Sequence, residues 1–161
     1  MGMKTSSQAT IIYFNARSVF SKLDAIKFTV NKLCPSFICV TESWLNSSIP
    51  TAAIEMDDFL VYRSDSMGAN PSGGVLIYIH KSINSSGIKM PTELEAPIGV
   101  KFSCITAQIA KYKSFILCTI YNHPPVNLKI LQFNFKLFTY LLSLQKTVYV
   151  IGDFQYKYVA D

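Results

Sequence analysis

The segment that most constrains the fold is 147–155, where β-branched and aromatic residues run into Gly152 and Asp153. Such a run predicts a buried strand, and Gly152 is expected to turn the chain so that Asp153 stands at the strand's carboxyl end. Ligand-binding groups in layered α/β proteins collect at such ends. An acid in this position also caps turns, so Asp153 alone leaves both roles open.

A second acid follows a short apolar run near the start of the chain. Phe37 to Val40 are apolar, and Glu42 comes where the expected strand leaves its sheet. Two strands that end in acids can hold a hard divalent cation between them, because carboxylate oxygens suit Mg²⁺. Glu42 and Asp153 together therefore predict a metal site.

An asparagine is expected beside Glu42. Residues 10–14 predict a strand that delivers Asn15 to its end, and a helix then runs as far as Pro35. The buried face of this helix is predicted to carry Leu23, Ile26, Val30 and Leu33. A right-handed crossover puts Asn15 and Glu42 at like ends of neighbouring strands. In isolation, Asn15 reads better as an ordinary turn asparagine.

Two antiparallel hairpins are predicted in the middle of the chain. The first pairs residues 59–63 with 73–79, and the second pairs 99–109 with 114–121. Within the first, Gly73-Gly74 indicates a bulge or a close approach of another backbone segment.

The turn after the second hairpin presents two side chains with possible chemistry. Tyr121 could donate a hydrogen bond to a phosphate oxygen, and His123 could act as a base or a phosphate ligand, just ahead of the rigid Pro124-Pro125. A turn histidine is more often simply solvated. A helix capped by Asn127 then runs to about Leu144. Its buried face is predicted to carry Leu128, Leu131, Phe135, Phe138, Leu141 and Leu142.

Composition limits the class of protein. The 161 residues fit one domain, and a 50% hydrophobic share allows a sizeable core. The net charge of +5 moderately favours a polyanion such as nucleic acid, although the basic residues are scattered. The four cysteines lack metal-site spacing and are expected to be buried free thiols in a reducing compartment. We expect no membrane span or signal peptide, and hence an intracellular protein, nuclear or cytoplasmic.

An ordered series of short motifs carries a family resemblance. The chain resembles the endonuclease/exonuclease/phosphatase superfamily, DNase I-like in fold, and within it the apurinic-type endonuclease domain of non-LTR (LINE-type) retrotransposons. The resemblance covers about residues 9–161, with residues 1–8 as a disordered leader. The motifs are Asn15-Ala16-Arg17-Ser18, Thr41-Glu42-Ser43-Trp44-Leu45, Tyr62-Arg63-Ser64-Asp65, Gly73-Gly74-Val75-Leu76-Ile77-Tyr78, Tyr121 with Pro124-Pro125, and Ile151-Gly152-Asp153-Phe154.

The resemblance implies a four-layer α/β sandwich that cleaves DNA phosphodiesters with Mg²⁺, or alternatively Mn²⁺. It implies no small-molecule cofactor and no membrane partner, and it leaves the oligomeric state open. Glu42 would bind the metal with Asn15 beside it, Tyr121 would position the phosphate, and Asp153 would orient or activate the attacking water. Gln155 stands where the family usually has an asparagine that holds the phosphate.

The resemblance also implies a domain that lacks its C-terminal part. The family's closing segment carries further strands and an Asp-His pair, whereas Asp161 resembles the acid that follows the family's Gly-Asp-Phe-Asn turn. Two alternatives to an active nuclease therefore stay open. One is a catalytically inactive relic that keeps a metal-binding or DNA-binding surface, and the other is a phosphatase-type member of the same superfamily.

Overall fold

A computed structural model describes residues 9–66 and 72–155. The predicted leader 1–8, the middle of the turn between the first hairpin's strands, and Asp161 lie outside the described residues. In the described part of the chain, two short 3-10 helices lie at Phe20–Lys22 and Thr51–Ile54. Two α-helices and eight strands follow one another in the same part of the chain. They are β1 (Ile11–Asn15), α1 (Leu23–Leu33), β2 (Phe37–Thr41), β3 (Phe59–Ser64), β4 (Val75–His80), β5 (Asn84–Gly87), β6 (Val100–Gln108), β7 (Phe115–Asn122), α2 (Leu128–Ser143) and β8 (Thr147–Asp153).

The strands form two four-stranded mixed sheets. Sheet A has the order β1-β2-β4-β3, and sheet B has the order β5-β6-β7-β8. Each sheet has a parallel pair at one margin, β1 with β2 and β7 with β8, and the remaining neighbours are antiparallel. Both predicted hairpins are confirmed, as is the parallel β1–α1–β2 crossover.

The structure has four layers in the order α1, sheet A, sheet B and α2, and an apolar cluster fills each of the three interfaces between them. α1 packs against the outer face of sheet A, and α2 packs against the outer face of sheet B. The third cluster fills the space between the sheets. Alternation along β2 explains the arrangement, since Phe37 and Cys39 face sheet B whereas Ile38 and Val40 face α1. The predicted four-layer α/β sandwich is therefore confirmed.

Gly152 acts differently from the prediction. It does not turn the chain after β8 but lies within the strand, paired with Ile120 of β7. A Cβ atom at Gly152 would lie 1.9 Å from the carbonyl oxygen of Ile120 and 2.9 Å from its nitrogen. The glycine therefore permits close contact between β7 and β8, and Asp153 still stands at the strand end.

The predicted buried face of α2 is mostly wrong. Leu128, Leu131, Phe135 and Leu142 are exposed, and Phe135 retains 73% of its surface. The predicted Leu141 is buried, and it joins a different face that carries Ile130, Phe133, Asn134, Leu137 and Leu141. The cause is that α2 has apolar residues on two overlapping stripes, and the helical period alone does not decide which stripe meets the sheet. The Asn127 cap is confirmed, because its side chain accepts a hydrogen bond from the Ile130 nitrogen at 3.1 Å.

Smaller differences also occur at the margins. β8 was predicted to be buried but is only half-buried, because it is the last strand of sheet B and has one neighbour. Leu33, expected on the buried face of α1, is exposed at the end of that helix. Cys39, Cys104 and Cys118 are buried free thiols, as expected, whereas Cys34, also expected to be buried, is exposed. No helix within residues 9–66 and 72–155 is long and apolar enough to cross a bilayer.

Candidate active site

Four strand ends converge where the two sheets meet. β1 and β2 bring Asn15 and Glu42 from sheet A, and β7 and β8 bring Tyr121 and Asp153 from sheet B. The Asn15 Nδ2 donates to Glu42 Oε1 at 2.7 Å and to Asp153 Oδ2 at 3.3 Å. One amide thus joins two carboxylates that lie far apart in the sequence.

The backbone at Glu42 is held in an uncommon conformation. Its φ is +50°, in the left-handed region that non-glycine residues rarely adopt. Two hydrogen bonds fix the following residues, from the Ser43 nitrogen to the Gly74 oxygen at 3.2 Å and from the Trp44 nitrogen to the Gly73 oxygen at 2.9 Å. A Cβ at Gly74 would lie 2.5 Å from Ser43 Oγ, so the predicted close backbone approach is confirmed. The glycine pair thereby fixes the direction of the Glu42 carboxylate.

Tyr121 lies beside Asp153, its partner in the β7–β8 pair. Only 4% of its surface is exposed, and its ring packs beside Gly73. Burial, together with the negative charges of Glu42 and Asp153, raises the pKa of Tyr121 to about 12. The phenol is therefore a neutral hydrogen-bond donor at physiological pH. Its oxygen lies 3.3 Å from His123 Nδ1, and His123 itself is exposed to solvent.

Gln155 is turned towards Asp153. Its Nε2 donates to Asp153 Oδ2 at 2.6 Å, the same oxygen that accepts from Asn15. The backbone of Gln155 has a φ of +51°, which brings the longer side chain back over the strand end. All five predicted site residues therefore lie together, while their individual roles stay predictions.

The donor set suits a hard cation. Glu42 and Asp153 supply carboxylate oxygens, and Asn15 adds an amide oxygen. Among the residues that the structure describes, no cluster of three or more His, Cys, Asp or Glu side chains exists. With Glu42 and Asp153 as its acidic ligands, a cation here would keep other positions for water or phosphate, which is the pattern that Mg²⁺ favours.

Sequence reasoning missed the function of Arg63. Its guanidinium pairs with Asp65 through two hydrogen bonds of 2.7 and 2.6 Å and donates to the carbonyl oxygens of Ile49 and Asn46. Arg63 thus ties the loop after Glu42 to β3. The sequence shows Arg63 two residues before Asp65, but it does not show that Arg63 also binds the loop carbonyl groups of Ile49 and Asn46.

Sequence reasoning treated the basic residues as scattered and so missed an uneven distribution of charge. Residues 96–152 contain six lysines and no acidic residue, so sheet B and α2 are basic apart from Asp153. One of these lysines, Lys101, lies directly opposite Tyr121 in the β6–β7 pair. The pairing register of that hairpin would have identified Lys101 as the neighbour of Tyr121.

Several solved structures share this architecture. The catalytic domain of Xenopus laevis APE2 matches with a TM-score of 0.63 and 16% identity, over 91% of this chain and 58% of that chain. The 3′ phosphatase NExo from Neisseria, bound to product DNA hairpin, matches with a TM-score of 0.61 and 17% identity, over 91% and 58%. Humanized D. rerio TDP2 matches with a TM-score of 0.61 and 16% identity, over 95% and 69%. No family model and no curated protein matches the sequence.

These likenesses establish the fold. The chain has the DNase I-like fold of two packed sheets with helices outside, which is the fold that its motifs predicted. It spans 58% of the APE2 catalytic domain and of the NExo chain. The identities of 16–17% carry no information on activity beyond the shared fold.

Proposed function

We propose that this chain is a divalent-metal-dependent nuclease domain that hydrolyses phosphodiester bonds in DNA. The observation that supports it most is the Asn15 amide shared by the Glu42 and Asp153 carboxylates at the junction of the two sheets. Such an arrangement joins a metal-binding acid to a second acid that can act on water. We further propose, from the ordered motifs, an origin in a non-LTR retrotransposon.

The residues present fit a magnesium or manganese ion. Glu42 and Asn15 would hold it, since oxygen donors from carboxylate and amide groups suit both ions. When bound, the ion would polarise the phosphate and offset the charge that develops on it. Tyr121 fits the same picture, because its high pKa keeps a neutral donor beside the anionic centre.

Each side chain would then have a defined task. Asp153 would accept a proton from the attacking water, with Asn15 orienting its carboxylate. Tyr121 would donate a hydrogen bond to a phosphate oxygen, which positions the phosphate for in-line attack. DNA as the substrate is supported by residues 96–152, which contain six lysines and no acid, and the solved structures of NExo and D. rerio TDP2 were determined with DNA product.

A second candidate is a protein that binds metal or DNA without cleaving it. Gln155 favours this alternative, because its Nε2 donates to Asp153 Oδ2 at 2.6 Å, so the carboxamide is engaged with the acid and is not free to hold a phosphate. Misplacement of a catalytic group by roughly 1 Å can cost about 10²-fold in rate.

Nicking of supercoiled plasmid distinguishes the two candidates. The purified protein would be incubated with Mg²⁺, Mn²⁺ or EDTA, beside Glu42→Gln and Asp153→Asn. Glu55→Gln is the matched control, because Glu55 is an exposed acid outside the site. Cleavage that requires metal, survives in the control and is lost in both site variants supports the nuclease. A folded protein that never nicks DNA refutes it.

Thermal melting tests the metal site separately from catalysis. Mg²⁺ or Mn²⁺ should raise the Tm of the wild-type protein and of Glu55→Gln, because a ligand that binds only the folded state stabilises it. The increase should be absent in Glu42→Gln. An equal increase in Glu42→Gln would show that the ion binds elsewhere. Stabilisation by metal without nicking would support the second candidate.

A further inference from the structure

Lys101 occupies an unusual position in sheet B. Along β6, the even-numbered Phe102 and Cys104 pack towards α2, whereas Ile105 and Ala107 face the other sheet. Alternation therefore directs Lys101 towards the space between the sheets. Because it is the second residue of β6, it lies at the edge where the candidate site opens, and it is only half-buried.

The register of β6 with β7 brings Lys101 next to Tyr121. The two residues are direct partners in the antiparallel pair, so their side chains project from the same face with Cβ atoms roughly 5 Å apart. His123 Nδ1 lies 3.3 Å from the Tyr121 oxygen, and the His123 backbone nitrogen donates to the Gly99 oxygen at 2.7 Å. Lys101, Tyr121 and His123 thus form one edge of the site.

The charge of Lys101 has no protein partner in the described part of the chain. The ion pair found there joins Arg63 to Asp65, and no hydrogen bond involves the Lys101 amine. Sequence neighbours offer no acid, since none occurs between residues 96 and 152. A half-buried lysine without an acidic partner is available to bind an anion. Because the proposed function assigns a phosphate to Tyr121, the neighbouring anion is expected to be a phosphate too.

We propose that Lys101 forms a subsite that binds the DNA phosphate next to the scissile one. Tyr121, its partner across the β6–β7 pair, keeps its proposed role on the scissile phosphate, and His123 contacts the Tyr121 hydroxyl at this edge of the site. This inference rests on the proposed action on DNA. It adds that one edge of the site recognises an uncleaved phosphate.

The salt dependence of DNA binding tests the subsite without requiring catalysis. Binding of a fluorescein-labelled duplex would be measured by anisotropy in EDTA across a range of salt concentrations. Each phosphate that a lysine neutralises contributes about 0.9 to the slope of log K against log salt. Lys101→Gln should lower the slope by about 0.9 and weaken binding about eightfold at 0.1 M salt. Lys101→Arg should keep the wild-type slope.

Lys113→Gln is the matched control. It removes one lysine charge from the same acid-free stretch of sequence. Lys113 lies just before β7, at the opposite end of that strand from Tyr121, and the rise per residue of a strand separates the two by roughly 25 Å. Its slope should equal that of the wild type. Lys101→Met serves as a second neutral variant if glutamine lowers the Tm.

The outcomes separate the subsite from the proposed function. An unchanged slope in both neutral Lys101 variants, or an equal loss in Lys113→Gln, overturns the subsite while DNA binding stands. Absence of wild-type binding overturns the action on DNA and the subsite together. A loss confined to the neutral Lys101 variants supports both.

Discussion

Replacing Gly152 with alanine should damage the sheet more than its single methyl group suggests. The new Cβ would lie 1.9 Å from the Ile120 carbonyl oxygen, and Cβ atoms essentially never come within 3.0 Å of such an atom. β7 and β8 must therefore separate by about 1 Å along a fully paired register. The obstructing atoms are backbone, so no side-chain rotation relieves the contact.

The expected cost follows from overpacking. Inserted methyl groups cost about 1–3 kcal/mol where side chains can adjust, and here we expect about 3 kcal/mol or more. For a domain of this size, that corresponds to a fall in Tm of about 6–12 °C. Asp153 moves with β8, so any nicking activity should fall by about 10²-fold as well.

Circular dichroism melts of Gly152→Ala and Gly87→Ala measure the effect. Gly87 is a suitable control because it lies in a strand and its added Cβ would meet the Tyr62 ring at 3.6 Å, an ordinary contact. Gly87→Ala should therefore melt near the wild-type temperature. If Gly152→Ala did so too, the close pairing of β7 with β8 would be refuted.

Three further outcomes are expected. Leu137→Ala should cost about 2–5 kcal/mol in urea unfolding, whereas Leu142→Ala, 64% exposed on the same helix, should cost under about 0.5 kcal/mol. Equal costs would contradict the orientation of α2. Arg63→Ala should cost about 2–3 kcal/mol, because it leaves Asp65 and two carbonyl oxygens without their donor, and an unchanged urea midpoint would show that the loop needs no such tie. Tyr121 has a pKa of about 12 when folded and 10.0 ordinarily, so its contribution to stability is full below pH 10 and is lost as the pH rises to 12. In Tyr121→Phe the unfolding free energy should fall less between pH 10 and 12 than in the wild type. Equal decreases in the two proteins would refute the raised pKa of Tyr121.

Local patterns predicted the parts of the fold that depend on strand ends. The run before Glu42 and the run before Asp153 are β-branched and apolar, and each forms a strand that ends at its acid. Asn15 was placed correctly because a parallel crossover leaves little freedom in where the two strands end. The resemblance supplied what these patterns could not, namely the face-to-face packing of two sheets.

Other features depended on tertiary contacts that no local pattern encodes. β5 was not predicted because Asn84–Gly87 is polar and becomes a strand only through its backbone pairing with β6. The buried face of α2 was misassigned because Leu131 and Leu137 are equally apolar, and only the sheet beneath distinguishes them. Lys101 was overlooked because its importance comes from the register with Tyr121. The roles of Asn15, Glu42, Tyr121, Asp153 and Gln155 stay predictions until the variants are measured.

The bridge from Asn15 to Asp153 joins residues 138 positions apart and spans two sheets that otherwise meet mainly through apolar contacts. Neither sheet could assemble this chemistry by itself, so the site exists only after the sandwich has closed. A ligand at this site would bind only when the two sheets are packed together, so its binding would stabilise the packed state. Hydrogen exchange of β1 and β8 should consequently slow together whenever the site is filled.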